Sequence, residues 1–146
     1  MEERLLSQVR ISAPNLVNIC VDDIKQGEMS GRLYHCYTQQ EILFSNVVEL
    51  LRHVEALYDS IAFPQASTKA RTFGKPEESK RVERPEKIIS QEEFIEYRGV
   101  IGTFLLFVKF RQNATWQGEV YWVEQDKKNF FSNMLDFVKI VDGAIA

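Results

Sequence analysis

The sequence predicts an α+β fold: an internal tandem repeat of two βββα units forming one pseudo-twofold domain, with antiparallel sheet packed by helices. Three observations lead there. The first is a repeated segment. Gly31-Arg32-Leu33-Tyr34, Phe44-Ser45-Asn46, Val48-Glu49-Leu50-Leu51 and Val54-Glu55 recur as Gly118-Glu119-Val120-Tyr121, Phe131-Ser132-Asn133, Leu135-Asp136-Phe137-Val138 and Val141-Asp142, at one offset of 87 (118 − 31) and without a gap. Self-similarity at a fixed offset is the mark of a duplicated supersecondary unit. The second is alternation of apolar and polar residues near the start of each copy, the period of a half-buried strand. The third is a switch to helical spacing at the end of each copy. The expected boundaries are 13–62 for the first unit, 63–97 for a charged linker with a short helix, and 98–146 for the second unit, the units together making one domain.

Each unit is expected to open with a strand. Leu16 to Ile24 sets Val17, Ile19 and Val21 against Asn18, Cys20 and Asp22, and Phe104 to Phe110 sets Phe104, Leu106, Val108 and Phe110 on one face. Polar loops are predicted over Lys25 to Ser30 and Arg111 to Gln117, with Gly27, Gly31 and Gly118 supplying turn geometry. Second strands follow at Arg32 to Tyr37 and Glu119 to Glu124, then brief third strands at Ile42-Leu43-Phe44 and Asn129-Phe130-Phe131.

Helices come next. Asn46 and Asn133 read as N-caps, with Glu49 and Asp136 at the third helical position, close to a capping box. The apolar stripes are Val47, Val48, Leu50, Leu51, Val54 and Leu57 in one helix, and Met134, Leu135, Phe137, Val138, Val141 and Ile145 in the other. Between the units, Ala66 to Lys87 is polar and charged, a linker or loop. Ser90 and Glu93 then form a capping box, with Ile89 and Phe94 as a hydrophobic staple, which predicts a short helix. Leu5, Leu6 and Val9 suggest another within residues 1–12.

Composition narrows the function classes. A chain of 146 residues with 45 % hydrophobic content supports a folded core. A net charge of −3 gives no long-range attraction to phosphate, which disfavours generic nucleic-acid binding but leaves room for a local basic patch. Met1-Glu2-Glu3-Arg4 is not followed by an apolar run, so a cytoplasmic location without membrane contact is expected.

The repeat also tests candidate chemistry. His35 and His53 are the chain's two histidines, and they align with Trp122 and Ile140, so neither has a counterpart role. Cys20 and Cys36 align with Phe107 and Val123 and read as small reduced hydrophobes. Cys20, His35, Cys36 and His53 match no zinc spacing. The paired acids Glu49/Asp136 fit capping, and Glu55/Asp142 fit solvated helix positions. The expectation is therefore no catalytic residue, no metal and no cofactor, and a non-enzymatic protein-interaction or regulatory module.

The candidate partner surface is the stretch with Arg111, Asn113, Trp116 and Gln117, together with outer strand faces carrying Tyr34 and Tyr121. An exposed Trp is a strong anchor for a protein partner. A Trp116 folded back to cap the sheet or cover a helix end competes with that reading and is slightly preferred. The alternative function is a nucleic-acid-binding accessory using a basic arm with Lys69, Arg71, Lys75, Lys80, Arg81 and Arg84. A third is a small-ligand sensor at a cleft between the repeats. Arg111-Gln112-Asn113, Trp116-Gln117-Gly118, Trp122, Phe131-Ser132-Asn133 and Asp142 resemble a group of small uncharacterised bacterial proteins, mainly over residues 104–145, a resemblance that implies no activity or ligand. The element order is similar to the HicB-like antitoxin fold, although that fold's glycine at the helix entry is absent here.

Overall fold

The computed structural model describes residues 13–61, 86–112 and 115–145. The helix expected within residues 1–12 lies outside them. The strands are β1 (Val17–Lys25), β2 (Glu28–Tyr34), β3 (Ile42–Phe44), β4 (Gly102–Gln112), β5 (Thr115–Trp122) and β6 (Lys127–Phe131). The helices are α1 (Val47–Ile61), α2 (Gln91–Phe94) and α3 (Met134–Ile145), and a 3-10 turn covers Val123–Gln125. All six strands form one antiparallel sheet in the order β3-β2-β1-β4-β5-β6. The α+β class and the antiparallel sheet agree with the sequence.

β1 and β4 meet at the centre of the sheet, with Ile19 opposite Phe104. One face is covered by the two long helices. α1 lies over β2 and β3, and α3 over β5 and β6. Val17, Ile19, Val21, Leu33, Phe104, Leu106, Val108, Val120 and Phe131 pack there against Leu50, Val54, Tyr58, Ile61, Phe137 and Val141. The second face carries a smaller core, in which Phe94 and Ile95 cover Leu16, Cys20, Tyr34, Leu105 and Tyr121.

Both long helices are capped as their sequences predict. Asn46 Oδ1 accepts from the Glu49 N–H at 2.9 Å, and Asn133 Oδ1 from the Asp136 N–H at 2.8 Å. Glu49 returns to the N–H of Ser45 at 2.8 Å, and Asp136 to the N–H of Ser132 at 3.2 Å. Both carboxyls sit below their usual range: a backbone bond to Ser45 is the main cause for Glu49, and the Ser132 hydroxyl for Asp136. Ser90 and Glu93 form the expected capping box at α2.

β4 and β6 run longer than expected, and β2 and β5 begin and end earlier than the strands expected at Arg32 to Tyr37 and Glu119 to Glu124. Lys25 pairs with Glu28, so the first polar loop shrinks to a turn with Gln26 and Gly27 at φ of 53° and 81°. Gly31 and Gly118 are strand residues rather than turn residues. A Cβ on Gly31 would collide with the carbonyl oxygen of Cys20, and one on Gly118 with that of Phe107. Both glycines lie beside β-bulges, at Val21/Asp23 in β1 and Val108/Phe110 in β4. A bulge inserts one residue and turns the downstream side chains to the other face. Strict alternation puts Phe110 on the inner face with Val108. Instead Phe110 is 61 % exposed and Arg111 turns inward. Val48 and Leu135 also leave the expected helix stripes and are exposed, at 52 % and 61 %.

Candidate functional site

Within the stretch expected to be a partner loop, Arg111 and Gln112 belong to β4 and Thr115 to Gln117 belong to β5, and its tryptophan is core. Trp116 is 0 % exposed. Its ring lies 6.1 Å from Tyr58 edge-on and 5.8 Å from Phe137. Its indole N–H donates to Glu55 Oε2 at 2.8 Å. Arg111, brought inward by the bulge, donates to Glu55 Oε1 at 2.7 Å and to Asp59 Oδ1 at 2.9 Å. Glu55 is thus not a solvated helix residue. It clamps α1 of the first half to the β4–β5 hairpin of the second.

Tyr34 and Tyr121 are also buried, because residues 86–101 pass over the second face. Tyr34 stacks on Tyr97 with ring centroids 3.9 Å apart. Its hydroxyl accepts from Arg32 Nη1 at 2.8 Å, and Arg32 also donates to Asp22 at 2.7 Å and to the Arg98 carbonyl at 2.8 Å. The Arg32 hydrogen bond holds the Asp22 carboxyl below its usual range. The Tyr121 hydroxyl donates to Asp126 at 2.6 Å. Arg111, Tyr34 and Tyr121 are therefore structural, which corrects the exposed-surface reading, and Trp116 takes the folded-back arrangement that the sequence slightly favours. Gln117 is exposed. Asn113 and the arm residues Lys69, Arg71, Lys75, Lys80, Arg81 and Arg84 lie outside the described residues.

What is left open is the outer part of that second face, on β4, β5 and β6. Across the strands, Phe107 pairs with Glu119 and Glu119 with Phe130, so the three form one row. Phe130 is 69 % exposed, and register opposite Gln117 places Phe110 on the same face. Glu119 lies almost buried between them. Lys109 Nζ is 2.8 Å from Glu119 Oε2, and Lys128 Nζ is 3.4 Å from Oε1 as an ion pair without hydrogen-bond geometry. Burial works to raise the Glu119 pKa, but the two lysines outweigh it and the net direction is down. Lys109 also lies over the Phe130 ring, 5.8 Å from its centroid. The arrangement is an exposed aromatic surface whose polar floor is neutralised from below.

The sequence reading missed Phe110, Phe130, Lys109, Lys128 and Glu119. The bulge hides Phe110 from any reading by alternation. One available signal was the glycine repeated at 31 and 118, since a strand glycine marks a bulge or a close approach of two backbones.

A groove of about 710 Å³ is lined by Gln26 to Met29, the first turns of α1, and Val138 and Asp142 of α3. Its carboxylate Glu49 is engaged in helix capping. Among the described residues no group of three or more His, Cys, Asp or Glu is placed to hold a metal ion. Cys20 and Cys36 are buried and unpaired, and burial pushes the Cys20 thiol up to about 12, far from a reactive thiolate. Burial also lowers His35 to about 4, where it stays neutral and accepts the Tyr37 N–H at Nδ1. Among the described residues no helix is long and apolar enough to cross a membrane. Comparison with known proteins finds no matching family model, curated protein or solved structure.

Proposed function

We propose that this chain is a non-enzymatic protein-interaction module that docks a partner on the open face of β4–β6. The observation that carries this reading is the pair Phe110 and Phe130, exposed on a rigid sheet and flanked by lysines tied to one buried glutamate. Exposed aromatic side chains on a polar-rimmed surface are the usual anchors of a protein interface. Lys109 and Lys128 against Glu119 leave the patch locally positive on a chain of net charge −3. The fitting partner segment is therefore apolar and flanked by acidic residues. In an affinity capture from the native host, the double substitution Phe110→Ala and Phe130→Ala should remove the partner bound by the wild type and leave the melting temperature nearly unchanged. Retention of the same partner by the double variant would refute the docking face.

The scaffold itself reads as a duplicated βββα unit. Bulges, bulge-side glycines and helix caps all fall at the same offset of 87, as do Phe44 and Phe131, each opposite the repeated glycine. Two pairs of exposed apolar residues also fall in register, Leu43 with Phe130 and Val48 with Leu135, whereas Phe110 stands against Asp23. Halves that fail to superimpose in an experimental structure would end that reading.

One observation favours the nucleic-acid alternative. Phenylalanines and lysines on an open sheet face are also what a single-stranded base-stacking platform requires. The carboxylate of Glu119 in the middle of the patch counts against it. A salt-sensitive mobility shift with single-stranded RNA, lost in the double phenylalanine variant, would move the proposal to that class.

A further inference from the structure

A second site lies on the helix-covered side, away from the aromatic face. A cavity of about 260 Å³ opens between β5, β6 and the end of α3. Phe104, Trp122 and Ile140 wall it, and the Phe104 and Trp122 rings stack at 6.0 Å. Lys127 and Asn129 line it from β6. Among the described residues, neither of their side chains makes a hydrogen bond or ion pair, and the buried indole N–H of Trp122 has no partner. An unsatisfied buried donor is unfavourable until an acceptor reaches it.

Gly143, on α3, also lines the cavity. A Cβ there would meet nothing within 4 Å, so packing does not require glycine, and glycine weakens a helix. At the three apolar walls the positions 87 residues earlier are Val17, His35 and His53, smaller or more polar than Phe104, Trp122 and Ile140; at the helix end and on β6 they are bulkier or less polar. Ala56 stands for Gly143, Leu57 for Ala144, Ile42 for Asn129 and Gln40 for Lys127. The second half thus has smaller residues at the helix end, a cation and an amide on β6, and larger, more apolar walls at one place. This comparison rests on the duplication, but the cavity does not.

We propose that the cavity binds a small amphipathic monocarboxylate, with its apolar body against Phe104, Ile140 and the Trp122 ring and its carboxylate accepting from Lys127, Asn129 and the Trp122 indole N–H. One cation matches one negative charge, and a phosphate dianion would be under-compensated. The last turn of α3 carries partial negative charge, so the carboxylate has to lie toward the β6 rim.

Octanoate is the probe, with octylammonium as the charge-reversed control. The chain has two tryptophans, so their indole N–H signals serve as site and reference. Titrated octanoate should shift the Trp122 indole signal saturably and leave Trp116 in place, while octylammonium should not reproduce the shift. Lys127→Gln should weaken octanoate by about tenfold through loss of one charge-assisted bond. Gly143→Leu grows into free space and should abolish the shift in a folded protein. An unmoved Trp122 signal, equal binding by Gly143→Leu or Lys127→Gln, or an equal response to octylammonium would overturn the proposal. None of these readouts involves Phe110 or Phe130, so this site and the docking face stand or fall separately.

Discussion

Glu55 shows how one side chain ties distant parts of the chain together. One oxygen takes the Arg111 guanidinium and the other takes the Trp116 indole, across sequence separations of 56 and 61 residues. Nothing local predicts Arg111 inside, and nothing local names Glu55 as the acceptor for a folded-back Trp116. The sequence places Arg111 and Trp116 in a polar stretch of amides, and only the upstream bulge turns Arg111 toward the helix. Trp116→Ala should cost about 3–5 kcal/mol in urea unfolding, because it empties a fully buried site and leaves Glu55 short of a donor. A loss below about 1 kcal/mol would instead place Trp116 at the surface. His35 makes a pH-dependent contribution. Its folded pKa of about 4 lies below the ordinary value of 6.5, because burial disfavours the imidazolium. The unfolded chain then binds the extra proton between those values, so stability falls as pH drops from about 6.5 toward 4 and levels off below. The full shift corresponds to about 3 kcal/mol. Chemical denaturation from pH 7 to 4 should show this loss, and His35→Gln should flatten that part of the profile.

At the scale of elements, the legible and the illegible divide by mechanism. Helix caps are local, with Asn46 and Glu49 three residues apart, so the chain announces them. Asn46→Ala and Asn133→Ala should each cost about 1 kcal/mol by thermal unfolding. A bulge is a relation between two strands, and neither strand's own periodicity records it. Alternation therefore assigns Phe110 to the core and leaves the aromatic face unread. The strand glycines give the bulges a test. Gly118→Ala drives a methyl into the Phe107 carbonyl and should cost about 1–3 kcal/mol or more. Gly143→Ala meets nothing and should instead stabilise α3 by up to about 1 kcal/mol. If both substitutions move stability the same way, the tight approach of β4 and β5 at the bulge is not a constraint on the fold.

For the whole molecule, the seam between β1 and β4 decides how it behaves. Both strands alternate apolar and polar residues, and nothing in either says whether it pairs with the other or with another sheet, so the joined sheet was not legible. Once joined, β1 and β4 are laddered on both sides and, over the stretch where they pair, covered on both faces: Val17, Ile19 and Val21 pack under the helices, Phe104 and Leu106 beside them, and Cys20 and Leu105 under residues 86–101. Among the described residues β3 and β6 are laddered on one side only, and they carry the exposed Leu43 and Phe130. The Glu55 clamp and the Trp116–Tyr58 contact hold the halves together across the helix layer as well. Separating the halves therefore breaks the central ladder, both cores and the clamp at once, whereas an edge strand can fray alone. Native-state hydrogen exchange should give β1 and β4 the highest protection in the chain, equal to each other and tracking global unfolding as denaturant is added. β3 and β6 should exchange through smaller openings that respond weakly to denaturant. A β4 that exchanges well ahead of β1 would mean that the second half opens by itself, and that the seam joins two independently stable units rather than one cooperative sheet.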